Sequence, residues 1–287
     1  NVQQGETKYT GTIHTTPAAD QPIRFICYSD SETEPESSTT PGVDWPAPPK
    51  GNRPKEIKNY LVDQTIGYQE NCRLITERQP NFLLVAGDLV ETGGEQRDWD
   101  EFWRHNAGDY GHPCASIPML AVLGNHDVGL PGRDRRPILD PLLPALGIRV
   151  LTNELVALSR PDAPGGPTWI AGMGELWLHE FRFHELRAAY SASANPGALI
   201  VLGHNPDAMH EVAPADTADL FLFGHTHAGQ IHLPFWPGFG IPSRGPWYRG
   251  EHELPQGRIY VTSGIGETSS SCRLGTTCEV VVVKICS

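Results

Sequence analysis

The sequence contains no apolar stretch long enough to cross a lipid bilayer. A membrane-spanning helix needs about 18 or more consecutive apolar residues, and even the run from Val280 to Ile285 is interrupted by Lys284. Positive charge is also scarce, because 22 basic residues face 34 acidic ones and the net charge is -12. This balance opposes sequence-independent binding to a nucleic-acid backbone. We therefore expect a soluble protein with no transmembrane segment and no long nucleic acid as a partner.

Cysteine is infrequent and never occurs as Cys-x-x-Cys. With six cysteines in 287 residues and no such pair, neither a zinc ribbon nor a thioredoxin-type site is indicated. Cys272 and Cys278 are one candidate disulfide pair; the alternative is that most cysteines, such as Cys27, are small buried thiols. The chain starts at Asn1 rather than methionine and has no Asn-x-Ser/Thr signal. These features favour an exported protein, periplasmic or secreted, with a cytoplasmic location as the alternative.

Short apolar runs recur along the chain and predict buried strands. They occupy 23–28, 82–86, 119–123, 199–202, 220–223, 258–262 and 279–285, with 168–173 as a weaker candidate. Helical patterns lie at 55–79, 95–106 and 178–192, and segments rich in Pro, Gly or Ser at 31–54, 127–167 and 233–257 predict loops. Alternating strands and helices predict a single α/β domain over residues 1–287, with one large sheet or two stacked sheets.

Side chains that can bind metal ions follow five of the predicted strands. Ligands gather beyond the carboxyl ends of strands in such sheets, so we expect the five clusters to meet at one edge. Their residues are Asp, Asn and His, and no cysteine is present, which favours Mn, Fe, Zn or Mg. The clusters are Ser29-Asp30-Ser31-Glu32, Gly87-Asp88-Leu89-Val90-Glu91, Gly124-Asn125-His126-Asp127, Gly203-His204-Asn205-Pro206 and Gly224-His225-Thr226-His227.

Four of these motifs, in this order, resemble the calcineurin-like metallophosphoesterase superfamily. They are Gly87-Asp88, Gly124-Asn125-His126-Asp127, Gly203-His204 and Gly224-His225-Thr226-His227, and the resemblance spans residues 22 to 285. The stretch that continues from His227 as Ala-Gly-Gln-Ile-His-Leu-Pro is similar to bacterial members in particular. The implied fold is a four-layer α/β sandwich, in which two mixed β-sheets lie face to face with helices outside.

The resemblance implies a site for two metal ions, with Asp88 bridging both. Asn125, His204 and His225 would be the further ligands of one ion, and Asp30 and His227 would bind the other. A carboxylate has two oxygens and can bridge ions about 3.5–4 Å apart, the spacing at which one hydroxide contacts both. Mn, Fe or Zn are the expected ions, and Mg is the alternative.

The first motif departs from the superfamily pattern. The superfamily usually has Asp-x-His after the first strand, whereas Glu32 stands where that histidine would be. Purple acid phosphatases, a branch of the superfamily, also lack this histidine and place a tyrosine ligand three residues after the bridging aspartate. That position holds Glu91 here, so Glu91 is preferred slightly over Glu32 as the replacement ligand. The alternative is that both are solvated acidic residues and the ion binds weakly.

His126 is the expected proton donor to the leaving group, because an imidazole changes charge near neutral pH. Asp127 would hold this imidazole by a hydrogen bond. Basic side chains soon after the motif are candidate phosphate clamps or, equally, a solvated loop. These are Arg133, Arg135 and Arg136. Four later residues would line the pocket or pack beneath a loop: His232, Trp236, Phe239 and Trp247.

The predicted activity is hydrolysis of a small phosphoric monoester or diester by a hydroxide that bridges two metal ions. The superfamily also includes nucleotidases, nucleases and lipid pyrophosphatases, and the fold does not choose among them. An alternative from another class is a protein that binds metal and phosphoryl ligands with weak or no catalysis, because the Asp-x-His motif is altered. The number of metal ions bound per chain distinguishes the enzyme from the binding protein. The sequence does not indicate the oligomeric state.

Overall fold

A computed structural model describes most of the chain. The described residues are 2–4, 7–9, 17–18, 21–31, 65–108, 113–158, 166–193, 196–232, 235, 241–267 and 273–286. The strands are β1 Val2–Gln4, β2 Thr7–Tyr9, β3 Ile23–Tyr28, β4 Phe82–Ala86, β5 Met119–Val122, β6 Ile148–Val150, β7 Glu154–Leu158, β8 Thr168–Gly172, β9 Leu199–Leu202, β10 Leu220–Phe223, β11 Gly250–Leu254, β12 Gly257–Val261 and β13 Val281–Ile285. The helices are α1 Thr65–Glu77, α2 Gln96–Asn106, α3 Pro113–Ser116, α4 Asn125–Val128, α5 Arg136–Ala145 and α6 Phe183–Ser191.

Two mixed sheets form the body of the fold, and β1 and β2 form a separate hairpin. The first sheet has the order β13-β3-β4-β5-β6, in which only β13 is antiparallel to its neighbour. The second has the order β11-β12-β10-β9-β8-β7, with antiparallel pairs at both edges and parallel pairs between β12, β10, β9 and β8. Parallel strands in the middle of both sheets point their carboxyl ends to one edge of the sandwich.

Alternate residues of each central strand face the opposite sheet, which fills the space between the sheets with apolar side chains. Phe25 and Leu84 of the first sheet and Ile200 and Leu222 of the second belong to this cluster. The outer face of the first sheet packs on α1, α2 and α5, and the outer face of the second packs on α6. The order helices, sheet, sheet, helices is the predicted α/β sandwich, and the prediction is confirmed.

Most of the predicted elements that fall on described residues are present, whereas most of the predicted loop at 31–54 and the first ten residues of the predicted helix at 55–79 lie outside the described residues. Two predicted loops contain regular structure. The 127–167 segment holds α5, β6 and β7, and the 233–257 segment holds β11. Helix α5 forms despite Pro141 and Pro144 because its Leu139 and Leu143 are buried in the core, and packing outweighs propensity. The predicted helix at 178–192 begins only at Phe183, after a turn that includes a left-handed His179 with φ 59°.

Five cysteines are free thiols in the structure, and two of them, Cys27 and Cys72, are buried as expected. Cys278 is also a free thiol, whereas Cys272 lies outside the described residues, so the candidate pairing of these two cysteines stays a prediction. Across the described part of the chain, no helix combines the length and apolar character needed to cross a membrane.

Candidate metal centre

The five predicted clusters lie at the carboxyl ends of adjacent parallel strands. Strands β3, β4 and β5 are neighbours in the first sheet, and β9 and β10 are neighbours in the second. Asp30 and Asp88 follow the first two of these strands with φ of 48° and 51°, and His225 and His227 follow β10 with φ of 70° and 47°. A left-handed backbone costs an L-residue about 1 kcal/mol or more, and such strained residues concentrate at functional sites.

Two glycines allow the motifs to approach one another. A Cβ atom on Gly87, which has φ of 83°, would lie 2.5 Å from His204 Nδ1. A Cβ atom on Gly124 would lie 2.2 Å from Asp88 Oδ1. A larger residue at position 87 would therefore clash with His204 of the second sheet, and one at position 124 would clash with Asp88 on the neighbouring loop of the first sheet.

Three buried side chains converge on the Nε2 atom of His204. It lies 3.0 Å from Asp88 Oδ2, 3.1 Å from Asn125 Oδ1 and 3.1 Å from His225 Nδ1. In the described part of the chain, Asp88, His204 and His225 are the one group of three His, Cys, Asp or Glu residues whose ligand atoms all lie within 4.8 Å of one another. Two ligand atoms of one metal ion are separated by about 3.0–3.4 Å, so the spacing fits a shared ion.

The hydrogen bonds outside the group fix which atoms face inward. His204 Nδ1 lies 2.8 Å from the Ala86 carbonyl oxygen, and His225 Nε2 lies 3.0 Å from that of Pro242. A carbonyl oxygen only accepts, so these two nitrogens carry hydrogen, and the opposite nitrogens, His204 Nε2 and His225 Nδ1, face the group. Two imidazole nitrogens, one carboxylate oxygen and one amide oxygen thus meet, and either a proton on His204 Nε2 or a metal ion in its place satisfies them. The residues fit a metal ion.

Electrostatics within the group support the same interpretation. Burial lowers the pKa of His204, but the adjacent Asp88 carboxylate outweighs burial and the pKa is raised to about 10. Burial raises the pKa of Asp88, but the nearby His204 and His126 outweigh burial, so the pKa of Asp88 lies below its usual range. The group therefore holds a positive charge at neutral pH, as a proton on His204 or as a metal ion that displaces it.

Asp30 and His227 form a second pair next to this group. Asp30 Oδ1 lies 3.6 Å from His227 Nε2, and the Asp30 carboxylate accepts hydrogen bonds from the Ser29 hydroxyl and the His225 main-chain N–H. Burial raises the pKa of Asp30 to about 6. Burial, together with the positive charge of Arg273, lowers the pKa of His227 to about 3. A neutral imidazole and a carboxylate are suitable ligands for a second ion.

Glu91 is placed differently from the other predicted ligands. Its carboxylate Oε2 lies 4.0 Å from His126 Nδ1 and its side chain is 25% exposed, and it is not a member of the compact three-residue group. Glu32 lies outside the described residues. The choice between these two carboxylates as a replacement for the histidine of Asp-x-His therefore stays a prediction.

His126 is held by main-chain contacts rather than by Asp127. Its Nδ1 lies 2.6 Å from the Glu91 carbonyl oxygen, and its main-chain N–H donates to Asp88 Oδ1 at 2.9 Å. Nδ1 must carry the hydrogen of the first contact, which leaves Nε2 as the atom able to exchange a proton. Burial lowers the pKa of His126, but Asp88 and Glu91 outweigh it and the pKa is raised.

Asp127 has both carboxylate oxygens occupied by main-chain donors. Oδ1 accepts from the N–H groups of Leu89 and Val90 at 2.9 and 3.2 Å, and Oδ2 accepts from Gly124 at 3.0 Å. The expected hydrogen bond to the His126 imidazole is therefore replaced by contacts that join the loops after β4 and β5. Asp127 shapes the backbone from which Asp88 and His126 project.

We expect Asp127→Ala to lower the free energy of unfolding by about 3 kcal/mol or more, because three buried N–H groups lose their acceptor at about 1–3 kcal/mol each. Urea denaturation measures this change. Asp140→Ala, on the exposed face of α5, is the matched control and is expected to change stability by less than about 0.5 kcal/mol. An Asp127→Ala protein as stable as the control would contradict this role.

The residues predicted to clamp phosphate or to line the pocket have different surroundings in the structure. The Arg136 guanidinium pairs with Asp134 at 2.6 Å and with Glu180, so its charge is already balanced. Arg135 packs against Gly94, and Arg133 is exposed. The Trp247 ring packs on His210 with centroids 4.9 Å apart. His232 is half-buried, while Trp236 and Phe239 lie outside the described residues.

Sequence reasoning missed two residues on the loop after β8. Glu175 is 4% exposed, and burial raises its pKa within the electrostatic reach of His204 and Asp88. Trp177 packs its ring against His225. The sequence did contain a signal for Glu175. It follows the predicted strand at 168–173, just as the candidate metal ligands follow the other predicted strands.

A comparison with known proteins identifies the family of this chain. Residues 61–229 match the calcineurin-like phosphoesterase family, a span that includes Asp88, Asn125, His204, His225 and His227. The chain belongs to this family. It is a metallophosphoesterase, an enzyme that hydrolyses phosphoric esters, and the family depends on divalent metal ions.

Two bacterial relatives match most of the chain. Phosphodiesterase YaeI of Escherichia coli is 29% identical over 212 residues, which are 73% of this chain and 72% of the relative. The uncharacterized metallophosphoesterase YkoQ of Bacillus subtilis is 30% identical over 233 residues, 79% of this chain and 80% of the relative. Among solved structures, a dimetal phosphatase from Danio rerio aligns with a TM-score of 0.47 and 12% identity, over 85% of this chain and 88% of that one.

Proposed function

We propose that this protein hydrolyses small phosphoric esters, and phosphodiesters first among them, at a centre for two metal ions. The observation that carries the proposal is the convergence of ligand atoms from Asp88, Asn125 and His225 at 3.0–3.1 Å from the buried Nε2 atom of His204. Similarity to phosphodiesterase YaeI over 73% of this chain supports the diester preference.

In this proposal, Asn125, His204 and His225 would hold one ion, Asp30 and His227 would hold the other, and Asp88 would be shared between them. Two bound ions would supply the nucleophile by lowering the pKa of a shared water, and would neutralise the charge that develops on the phosphoryl group. The contact of Asp30 Oδ1 with His227 Nε2 at 3.6 Å supports this division, because neither residue belongs to the compact group of Asp88, His204 and His225.

His126 would donate a proton from Nε2 to the departing oxygen. The Glu91 carbonyl oxygen at 2.6 Å keeps the hydrogen of Nδ1 in place, so the ring presents the same atom throughout. The negative charges of Asp88 and Glu91 favour the protonated imidazole, which is the form that an acid must have before the ester bond breaks. Asp127 maintains the loop geometry through its three main-chain hydrogen bonds and has no proton-transfer role.

Removal of metal is expected to abolish turnover. Protein treated with a chelator and then desalted should hydrolyse bis(p-nitrophenyl) phosphate at the rate of buffer alone, and added Mn²⁺ should restore the original rate. The same assay with p-nitrophenyl phosphate measures the preference between diester and monoester. Turnover that persists after the metal content has fallen below detection would contradict the proposed function.

A further inference from the structure

Trp177 is an exposed aromatic residue in contact with the candidate metal centre. It lies in the turn 176–179 between β8 and α6, and 47% of the residue is exposed. Its ring meets the His225 ring edge to face, with centroids 4.9 Å apart and planes at 83°. Indole rings bury large areas when they pack, so a half-exposed indole beside a catalytic centre offers a surface for a ligand to cover.

The turn that carries Trp177 is anchored on both sides. Leu176 and Leu178 pack against two different parts of the core, and the Leu178 N–H donates to the Glu175 carboxylate at 2.8 Å. Asn153 reaches across the base of the turn, where its Oδ1 accepts from the Gly174 N–H at 3.2 Å. The indole is therefore held in place before any ligand binds, which reduces the entropy lost on binding.

Asn153 and Arg136 also fix the far end of the turn. Asn153 Nδ2 donates to the Glu180 carbonyl oxygen at 2.6 Å, and the Glu180 carboxylate pairs with the Arg136 guanidinium. Arg136, a candidate phosphate clamp from the sequence, thus has a structural partner on this loop. Its contacts support the position of Trp177 rather than a direct contact with substrate.

We propose that Trp177 forms an aromatic subsite, so that the substrate is a phosphoric ester carrying a planar aromatic group that stacks on the indole. This rests on the proposed function, since the phosphoryl group must bind next to His225 for the ring to reach Trp177. The aromatic group is an aryl ring or a nucleobase, which share the flat π surface that the subsite recognises.

Binding of paired phosphonates to Mn-loaded protein tests the subsite by calorimetry, a readout independent of turnover. Phenylphosphonate and cyclohexylphosphonate have rings of similar size, but only the first is aromatic. We expect the native protein to bind the phenyl compound roughly 5- to 10-fold more tightly. Adenosine monophosphate against ribose 5-phosphate is the second pair; a preference larger than that for phenyl supports a nucleobase, and an equal one supports a simple aryl ring.

Three variants test whether the phenyl preference comes from aromatic stacking or from the size of the side chain. Trp177→Leu keeps an apolar side chain and should lower the phenyl preference to about 1, whereas Trp177→Phe should retain most of it because it keeps a π face. Ile138→Ala removes a side chain that is 62% exposed on α5 and should keep the native preference. Metal content, measured for each variant, shows that the His225 neighbourhood is intact.

Failure of the aromatic subsite and failure of the proposed function give different binding results. Equal binding of the two phosphonates by the native protein, or a phenyl preference that survives Trp177→Leu, would overturn the aromatic subsite and leave phosphoryl binding in place. If methylphosphonate also fails to bind to Mn-loaded protein, the phosphoryl site itself is absent, and the proposed function fails together with the inference that rests on it.

Discussion

Replacing Asp88 with asparagine is expected to lower kcat for a phosphodiester by about a thousandfold or more, because the variant loses the negative charge shared by the two proposed ions. Asn is close to Asp in size, so the Gly124 contact that surrounds the side chain is preserved. The amide still offers one oxygen to His204, but it cannot balance two cations. Metal content should fall in parallel with kcat.

The matched control is Asp140→Asn, which makes the same chemical change on the exposed face of α5 and should leave kcat within about twofold of the native value. Steady-state kinetics at saturating Mn²⁺ compares the two variants. An Asp88→Asn protein that keeps more than a tenth of native kcat at full metal occupancy would refute the shared-carboxylate role.

The second large effect is expected from His126→Ala, and it should depend on the leaving group. A positioned acid contributes about 10²- to 10⁴-fold to the rate when the departing oxygen needs a proton. We therefore expect a loss of that size for an alkyl ester and a much smaller loss for a p-nitrophenyl ester, whose leaving group departs as a stable anion. A plot of log kcat against leaving-group pKa should be steeper for the variant.

His184→Ala is the control for this variant, because the His184 side chain is 83% exposed and pairs with Asp216 at 2.8 Å on the far loop. It should leave both esters unaffected. Equal losses for alkyl and p-nitrophenyl esters in His126→Ala would indicate that His126 binds substrate or supports the loop, and would remove it from the role of proton donor.

The strands that build the site were predictable from the sequence because they are buried on both faces. The predicted runs at 82–86 and 199–202 match β4 and β9, whose continuous apolar sequences leave little ambiguity. Three edge strands of the two sheets, β6, β7 and β11, were missed for the opposite reason, whereas the edge strand β13 was predicted from its apolar run. In β11, Glu251 and Glu253 are exposed, so a strand of alternating exposure with charged residues resembles a loop in composition.

The candidate ligands could be predicted because parallel strand ends place them, but the contacts between side chains could not. Asp127 shows the difference, since nothing in Asn125-His126-Asp127 indicates that its carboxylate binds three N–H groups from two loops. Trp177 shows it again, because its contact with His225 joins two loops that are distant in the chain. Helix α5 was hidden by its prolines and is stabilised by core contacts that only the folded chain provides.

Metal stoichiometry tests the central claim most directly. Elemental analysis of native protein reconstituted with Mn²⁺, combined with diester turnover on the same sample, should give two ions per chain and activity that rises with occupancy of the second ion. The Asp30→Asn variant should retain one ion and lose most turnover. One ion or fewer in the native protein, with no turnover under any divalent metal, would contradict the account and would identify a metal-binding protein in which the altered Asp30-Ser31-Glu32 motif has disabled catalysis.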